Sequence, residues 1–167
     1  LTSAGCEFRD RTVLVLGAGG VAQAICVAAL RDRAGRILIA NRTADRATAL
    51  AAKFDNARPV DWAARPAALA EADIVINATS LGMDGQSSPL DTWQGARDGA
   101  VAFDTVYTPA QRPFLDEARA AGLTCVDGLA MLIGQARPSF RQLFGQPAPE
   151  EVDAESLLRK ALSDGPL

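Results

Sequence analysis

Short, unbroken apolar runs recur along this chain, and between most of them apolar residues return every three or four positions. The first run, 12–16, has no polar residue after Thr12, the pattern of a strand buried on both faces. Gly17-Ala18-Gly19-Gly20-Val21-Ala22 follows at once. An Ala-rich stretch over 20–32 then places Val21, Ile25, Ala28 and Ala29 at helical spacing, and Gly35 punctuates its end. Residues 37–40 form a second apolar run. A second helix is predicted over 44–54, with Thr43 as N-cap and Ala47, Leu50, Ala51 and Phe54 as its buried stripe. Residues 57–60 suit a short third strand, 62–71 an Ala-rich helix with Pro66 early in it, and 74–76 a fourth strand. Residues 82–99 are rich in Gly, Ser, Pro and Asp and read as loop. A fifth strand at 101–103, a helix over 113–121 stopped by Gly122, and a sixth strand at 123–126 complete the alternation. Strands and helices alternating at this spacing predict an α/β fold, a Rossmann-like doubly wound parallel sheet of about six strands.

After Asp127-Gly128 the strand period stops. Leu129, Leu132, Ile133, Ala136, Phe140, Leu143 and Phe144 trace one helical face, which Pro138 interrupts and is expected to kink. A last helix is expected from Pro149, with Glu150, Glu151 and Asp153 in its first turns and Arg159 and Lys160 near its end, as the helix dipole favours. Its apolar stripe is Val152, Leu157, Leu158, Ala161 and Leu162. The expected division is a nucleotide-binding domain over 1–127 and C-terminal helices over 128–167, whose apolar faces the sheet does not fully cover.

Composition narrows the chemistry. With 49% hydrophobic and 22% charged residues in 167, the chain is an ordinary soluble globular one. A net charge of −3 gives no basic face for nucleic acid, and no apolar run approaches the ~20 residues of a membrane span. No secretory or transit pattern opens the chain, and Leu1 in place of Met suggests a piece of a longer one. Three widely spaced cysteines, Cys6, Cys26 and Cys125, suit a reducing, cytoplasmic setting and no disulfide or metal framework. Cys26 and Cys125, in apolar runs, are most simply small core residues. There is no histidine, which removes the commonest general acid–base, and the only lysines are Lys53 and Lys160.

Three segments carry candidate chemistry. In the glycine turn, Gly17 permits the tight bend and Gly19 lets backbone approach a pyrophosphate. Ala22 is small enough for helix and strand to pack closely. Helix-start N–H groups then face the phosphates; a ligand-free βα turn is the alternative. At the end of the second strand an NAD site usually carries an acidic residue. Here Asn41, Arg42 and Thr43 stand instead, with Arg46 one helical turn on, an arrangement suited to a 2′-phosphate and hence to NADP. The alternative is a solvated arginine pair neutralised by Asp45. The third segment, Asn77-Ala78-Thr79-Ser80-Leu81-Gly82-Met83, lies at the carboxyl end of the fourth strand. Tyr107, the only tyrosine, ends the fifth on the same edge.

These segments, together with Asp104 to Tyr107, Pro109 and Asp127-Gly128-Leu129-Ala130-Met131-Leu132 with Gln135, make the chain similar to the shikimate dehydrogenase family from about Thr12 to Gly145. The resemblance implies NADPH-dependent reduction of 3-dehydroshikimate to shikimate, a step of aromatic amino acid biosynthesis. It implies pyrophosphate on Gly17, Ala18, Gly19, Gly20, Val21 and Ala22, and the 2′-phosphate on Asn41, Arg42, Thr43 and Arg46. It puts Thr79, Ser80, Gly128 and Met131 beside the cofactor, with Tyr107 and Gln135 facing the substrate. In that family the catalytic lysine and aspartate come from an N-terminal substrate domain. None is expected in this chain, and residues 128–167 are expected to fold against that domain. Arg112 departs from a helix-capping threonine common in the family, and Pro138 from an uninterrupted helix. A quinate- or NAD-using enzyme on the same scaffold, or a non-catalytic nucleotide sensor, would share these segments.

Overall fold

The apolar runs pair into one six-stranded, all-parallel sheet in a computed structural model that describes residues 7–109, 112–149 and 152–163. The strands are β1 (Thr12–Leu16), β2 (Arg36–Ala40), β3 (Ala57–Val60), β4 (Ile74–Asn77), β5 (Val101–Asp104) and β6 (Thr124–Val126), ordered β3-β2-β1-β4-β5-β6. Between them run α1 (Gly20–Arg31), α2 (Ala44–Ala51), α3 (Arg65–Glu71) and α4 (Pro113–Ala120); α5 (Gly128–Phe144) and α6 (Ala154–Ser163) follow the last strand. β1 pairs with β2 on one side and β4 on the other, so the strand order reverses there. That reversal opens a crevice at the carboxyl ends of the strands, where ligands of such sheets sit.

Period-two alternation builds the two faces. Val13 and Val15 of β1, Ile37 and Ile39 of β2, and Ile74 and Ile76 of β4 meet Ala22, Ile25, Cys26 and Ala29 of α1 and Ala47, Leu50 and Ala51 of α2. Leu14, Leu16, Leu38 and Val75 point the other way, to Ala68 and Leu69 of α3 and Phe114, Leu115 and Ala118 of α4. Cys26 is fully buried here, and burial pushes its thiol up to about 11; Cys125 is half-buried, and Cys6 lies outside the described residues. The 82–99 segment is irregular, as expected, but carries its own anchors. Leu90 and Trp93 are buried, and the Trp93 indole donates to the Phe114 carbonyl at 2.9 Å.

Four expectations need correction. The buried stripe of α1 is Ala22, Ile25, Cys26 and Ala29, while Val21 is 42% exposed and Ala28 is exposed; close packing at Ala22 rotates the helix. The 62–71 helix opens with a 3-10 turn over Trp62–Ala64, whose cap is Asp61 accepting from the Ala63 N–H. Pro138 does not interrupt α5, which runs unbroken from Gly128 to Phe144: the ring lies on an exposed stretch, and the Ser139 hydroxyl donates to the Gln135 carbonyl. α6 begins at Ala154 rather than Pro149, because Asp153 accepts from both the N–H and the hydroxyl of Ser156. Glu150 and Glu151 lie outside the described residues.

Candidate functional site

The carboxyl edge of the sheet brings the sequence-selected segments together. Leu16 stands level with Ala40 of β2 and Asn77 of β4, and Asn77 with Asp104 of β5, so the turns leaving β1, β2, β4 and β5 are neighbours. Gly17 has φ +116°, and a Cβ on it would lie 2.7 Å from the Ala78 carbonyl oxygen, so only glycine fits where the β1 and β4 exits cross. Gly19 is the N-cap of α1 and offers no side-chain acceptor, so its first N–H groups lack intrahelical partners. A Cβ at Gly19 or Gly20 would meet nothing within 4 Å. The turn therefore combines unpaired donors with open space, which suits an anionic group laid against the helix start. Ala18 is half-buried against the core, Val21 is exposed, and fully buried Ala22 seals the helix onto the sheet.

At the end of β2 the Asn41 amide donates to the Thr43 carbonyl at 2.9 Å and shapes the turn into α2. Thr43 is the N-cap of α2, but its hydroxyl makes no capping bond. Arg42 and Arg46 are exposed. Among the described residues neither has an ion-pair partner, so Asp45 does not neutralise them. Two exposed arginines and an uncommitted hydroxyl thus stand at the start of α2, one strand from the glycine turn.

The ends of β4 and β5 hold a buried polar centre: the sequence pointed to Asn77, Asp104 and Arg112 separately but not to their meeting. Asn77 and Asp104 are fully buried and Arg112 is 1% exposed. Asp104 Oδ1 accepts from Asn77 Nδ2 at 2.9 Å and from the Val106 N–H at 3.0 Å, while Oδ2 accepts from Arg112 Nε at 2.9 Å. Burial pushes the Asp104 carboxyl up; the Val106 N–H and the Arg112 guanidinium oppose it. Asn77 Oδ1 accepts from the Thr79 N–H at 3.0 Å and hydroxyl at 2.7 Å, and Thr79 Oγ1 accepts from the Leu81 N–H. The Thr79 hydroxyl is therefore committed within its turn, whereas Ser80 is exposed. The clue available in the sequence was that two neighbouring apolar runs each end on a polar residue. Arg112, eight residues beyond Asp104, gave no such hint.

Tyr107 leaves β5 41% exposed. Gly128 starts α5 so close to the β5 exit that a Cβ would lie 2.2 Å from the Thr105 carbonyl oxygen. Met131 and Gln135, one and two turns on, line an apolar cleft of about 1080 Å³ between α1 and α5, together with Gly20, Val21 and Phe103. Gly20, Val21, Met131 and Gln135 thus share one surface. The two lysines lie elsewhere: Lys53 follows α2 and donates to Gln23 at 3.0 Å, and Lys160 lies in α6. No helix among the described residues is long and apolar enough to cross a membrane.

Two family models match the chain: one described as shikimate / quinate 5-dehydrogenase, over residues 2–83, and one described as shikimate 5′-dehydrogenase C-terminal domain, over residues 128–158. A shikimate dehydrogenase (NADP(+)) of Maricaulis maris (strain MCS10) is 45% identical over 97% of this chain and 58% of the relative. Shikimate 5-dehydrogenase from Thermus thermophilus, solved in complex with NADP(H) and shikimate, superposes with a TM-score of 0.81 at 33% identity, over 98% of this chain and 58% of that one. Quinate dehydrogenase from Corynebacterium glutamicum in complex with NAD superposes with a TM-score of 0.79 at 28% identity, over 94% of this chain and 56% of that one. The chain spans a little over half the length of the relatives it matches.

Proposed function

The chain belongs to the shikimate dehydrogenase family, and from that membership we propose that it is the NADP(H)-binding part of an enzyme interconverting 3-dehydroshikimate and shikimate. The observation that carries the NADP assignment is the exposed pair Arg42 and Arg46, without ion-pair partners among the described residues, beside the open turn at Gly19 and Gly20. The pyrophosphate lies along Gly17, Ala18, Gly19, Gly20, Val21 and Ala22. Asn41, Arg42, Thr43 and Arg46 hold the 2′-phosphate. Thr79, Ser80, Gly128 and Met131 flank the nicotinamide, and Tyr107 and Gln135 turn toward the substrate. The exposed faces of α5 and α6 pack on a substrate domain supplied elsewhere in the protein. A cytoplasmic location accompanies this assignment and suits three dispersed cysteines.

Bound NADPH would supply the hydride. The residues of this chain then bind and orient that carrier, while the proton for the carbonyl oxygen needs a placed acid. Lys53 follows α2 and donates to Gln23, Lys160 belongs to the last helix, neither stands in the segments assigned to the cofactor, and there is no histidine, so these 167 residues alone bind NADPH and do not oxidise shikimate. Likeness to a quinate dehydrogenase with NAD supports a second substrate on the same scaffold, but no acidic residue at the end of β2 is placed to hold a ribose 2′-hydroxyl. Calorimetry with NADPH and NADH tests the cofactor assignment. A charge-assisted hydrogen bond contributes about 1.5–3 kcal/mol, so Arg42→Asp weakens NADPH binding by about tenfold or more and NADH binding far less. Equal losses for both nucleotides would remove the 2′-phosphate from this corner.

A further inference from the structure

Adjacent strands β4 and β5 both end on polar side chains sealed from solvent, and a carboxylate in that position requires compensation. Arg112 supplies it with a fork: Nε donates to Asp104, and Nη1 donates to the Pro109 carbonyl oxygen. The guanidinium therefore clips both ends of the 104–109 turn that carries Tyr107. On the opposite side Asn77 links Asp104 to the turn carrying Thr79 and Ser80, donating to the Leu81 carbonyl at 2.9 Å as well as to Asp104. Asp104 also fixes the Val106 N–H. The Thr105–Val106 backbone so held is the surface against which Gly128 packs with no room for a Cβ, so it sets the start of α5, with Met131 one turn on.

We propose that Asn77, Asp104 and Arg112 are positioning residues, a buried centre that aligns the Thr79–Ser80 turn, Tyr107 and the start of α5 as one nicotinamide-docking surface. This rests on the NADP(H) assignment above. None of the three side chains needs to touch the nucleotide. Arg112 stands at the N-cap of α4 yet makes no capping bond, its side chain being committed to Asp104 and Pro109 instead. The glycine turn and the Arg42–Arg46 corner lie outside these hydrogen bonds, so disturbing the centre loosens the nicotinamide half of the site and spares the adenosine half.

Calorimetry of the 167-residue chain with NADPH and with 2′,5′-ADP, which keeps the 2′-phosphate and lacks the nicotinamide, separates the halves. Arg112→Met weakens NADPH about tenfold and leaves 2′,5′-ADP within about twofold of the parent. Should Arg112→Met not fold because Asp104 is left uncompensated, the double variant Asp104→Asn/Arg112→Met removes both charges together and shows the same selective loss. Parallel losses of both ligands, or no loss of either, in the folded variant overturn the proposal in favour of a merely structural pair. A parent chain that binds 2′,5′-ADP as tightly as NADPH also overturns it and leaves the cofactor assignment standing. A parent chain that binds neither ligand overturns both.

Discussion

Gly17 and Gly19, two residues apart, are glycine for different reasons. A side chain at Gly17 would meet the Ala78 backbone with φ at +116°, a conflict internal to the protein. At Gly19 φ is −89° and a Cβ would enter open space, so nothing inside the protein requires glycine there and only the proposed phosphate would meet a side chain. Alanine at each position in turn therefore separates folding from binding. Gly17→Ala costs about 2–3 kcal/mol of stability by urea denaturation. Gly19→Ala changes stability by about 1 kcal/mol or less, since Ala is only a poorer N-cap than Gly, but weakens NADPH binding about tenfold. Parent-like NADPH affinity in Gly19→Ala would show that no phosphate rests against that residue.

Among the elements, the turn after β4 shows how a polar stretch holds shape without a core. Asp84 accepts from the Ser87 N–H at 2.8 Å, the Gln86 N–H at 2.9 Å and the Ser87 hydroxyl, and these bonds hold its carboxyl down to about 2. A carboxylate with a depressed folded value stabilises above its unfolded value near ~3.9 and loses that contribution as pH falls through the folded value. The 82–88 turn therefore keeps its hydrogen bonds down to about pH 4 and loses them toward about pH 2, followed by amide exchange at Gln86 and Ser87 during acid titration. Asp84→Asn abolishes that acid transition. Legibility in the sequence tracks the same physics. β1, β2, β4 and β5 are visible because a strand buried on both faces is a nearly unbroken apolar run, the edge strands β3 and β6 only because their short segments keep the alternation with helices, and the glycine turn and Arg42–Arg46 corner because their residues lie close together in the chain. The pairing of Asn77 with Asp104 is not, because a polar residue closing an apolar run looks like the first residue of a loop until its partner is known. Arg112 has the appearance of a lost helix cap, since nothing local indicates that Asp104 waits across the turn. The α1 stripe differs from its prediction because Ala-rich periodicity fits two adjacent faces, and only packing at Ala22 chooses between them.

For the whole molecule, the two halves of α5 live in different environments. Leu129 is 2% exposed against the sheet, whereas Leu143 is 78% and Phe144 63% exposed, with Phe140 and Phe144 packed at 4.5 Å between ring centroids. Leu157 of α6 adds to the uncovered surface at 60%. Exposed large apolar side chains at the end of α5 and on α6 favour self-association of an isolated chain. Sedimentation velocity is expected to show concentration-dependent association of the 167 residues, and Leu143→Glu/Phe144→Glu to suppress it with NADPH affinity unchanged. Association that survives this change would place the contact elsewhere, the α1–α5 cleft being the next apolar surface.

The same architecture seals Cys26 between α1 and the sheet, with its thiol held protonated at neutral pH. An alkylating reagent reaches that sulfur only when α1 lifts away. The half-buried Cys125 reacts earlier and leaves Cys26 as a slow, separate signal. Its labelling rate is thus an intrinsic timer for detachment of the helix whose first residues close the glycine turn. Any ligand that bridges that turn to its neighbours slows the timer in proportion to occupancy, so simple mass spectrometry can count bound chains without a turnover assay.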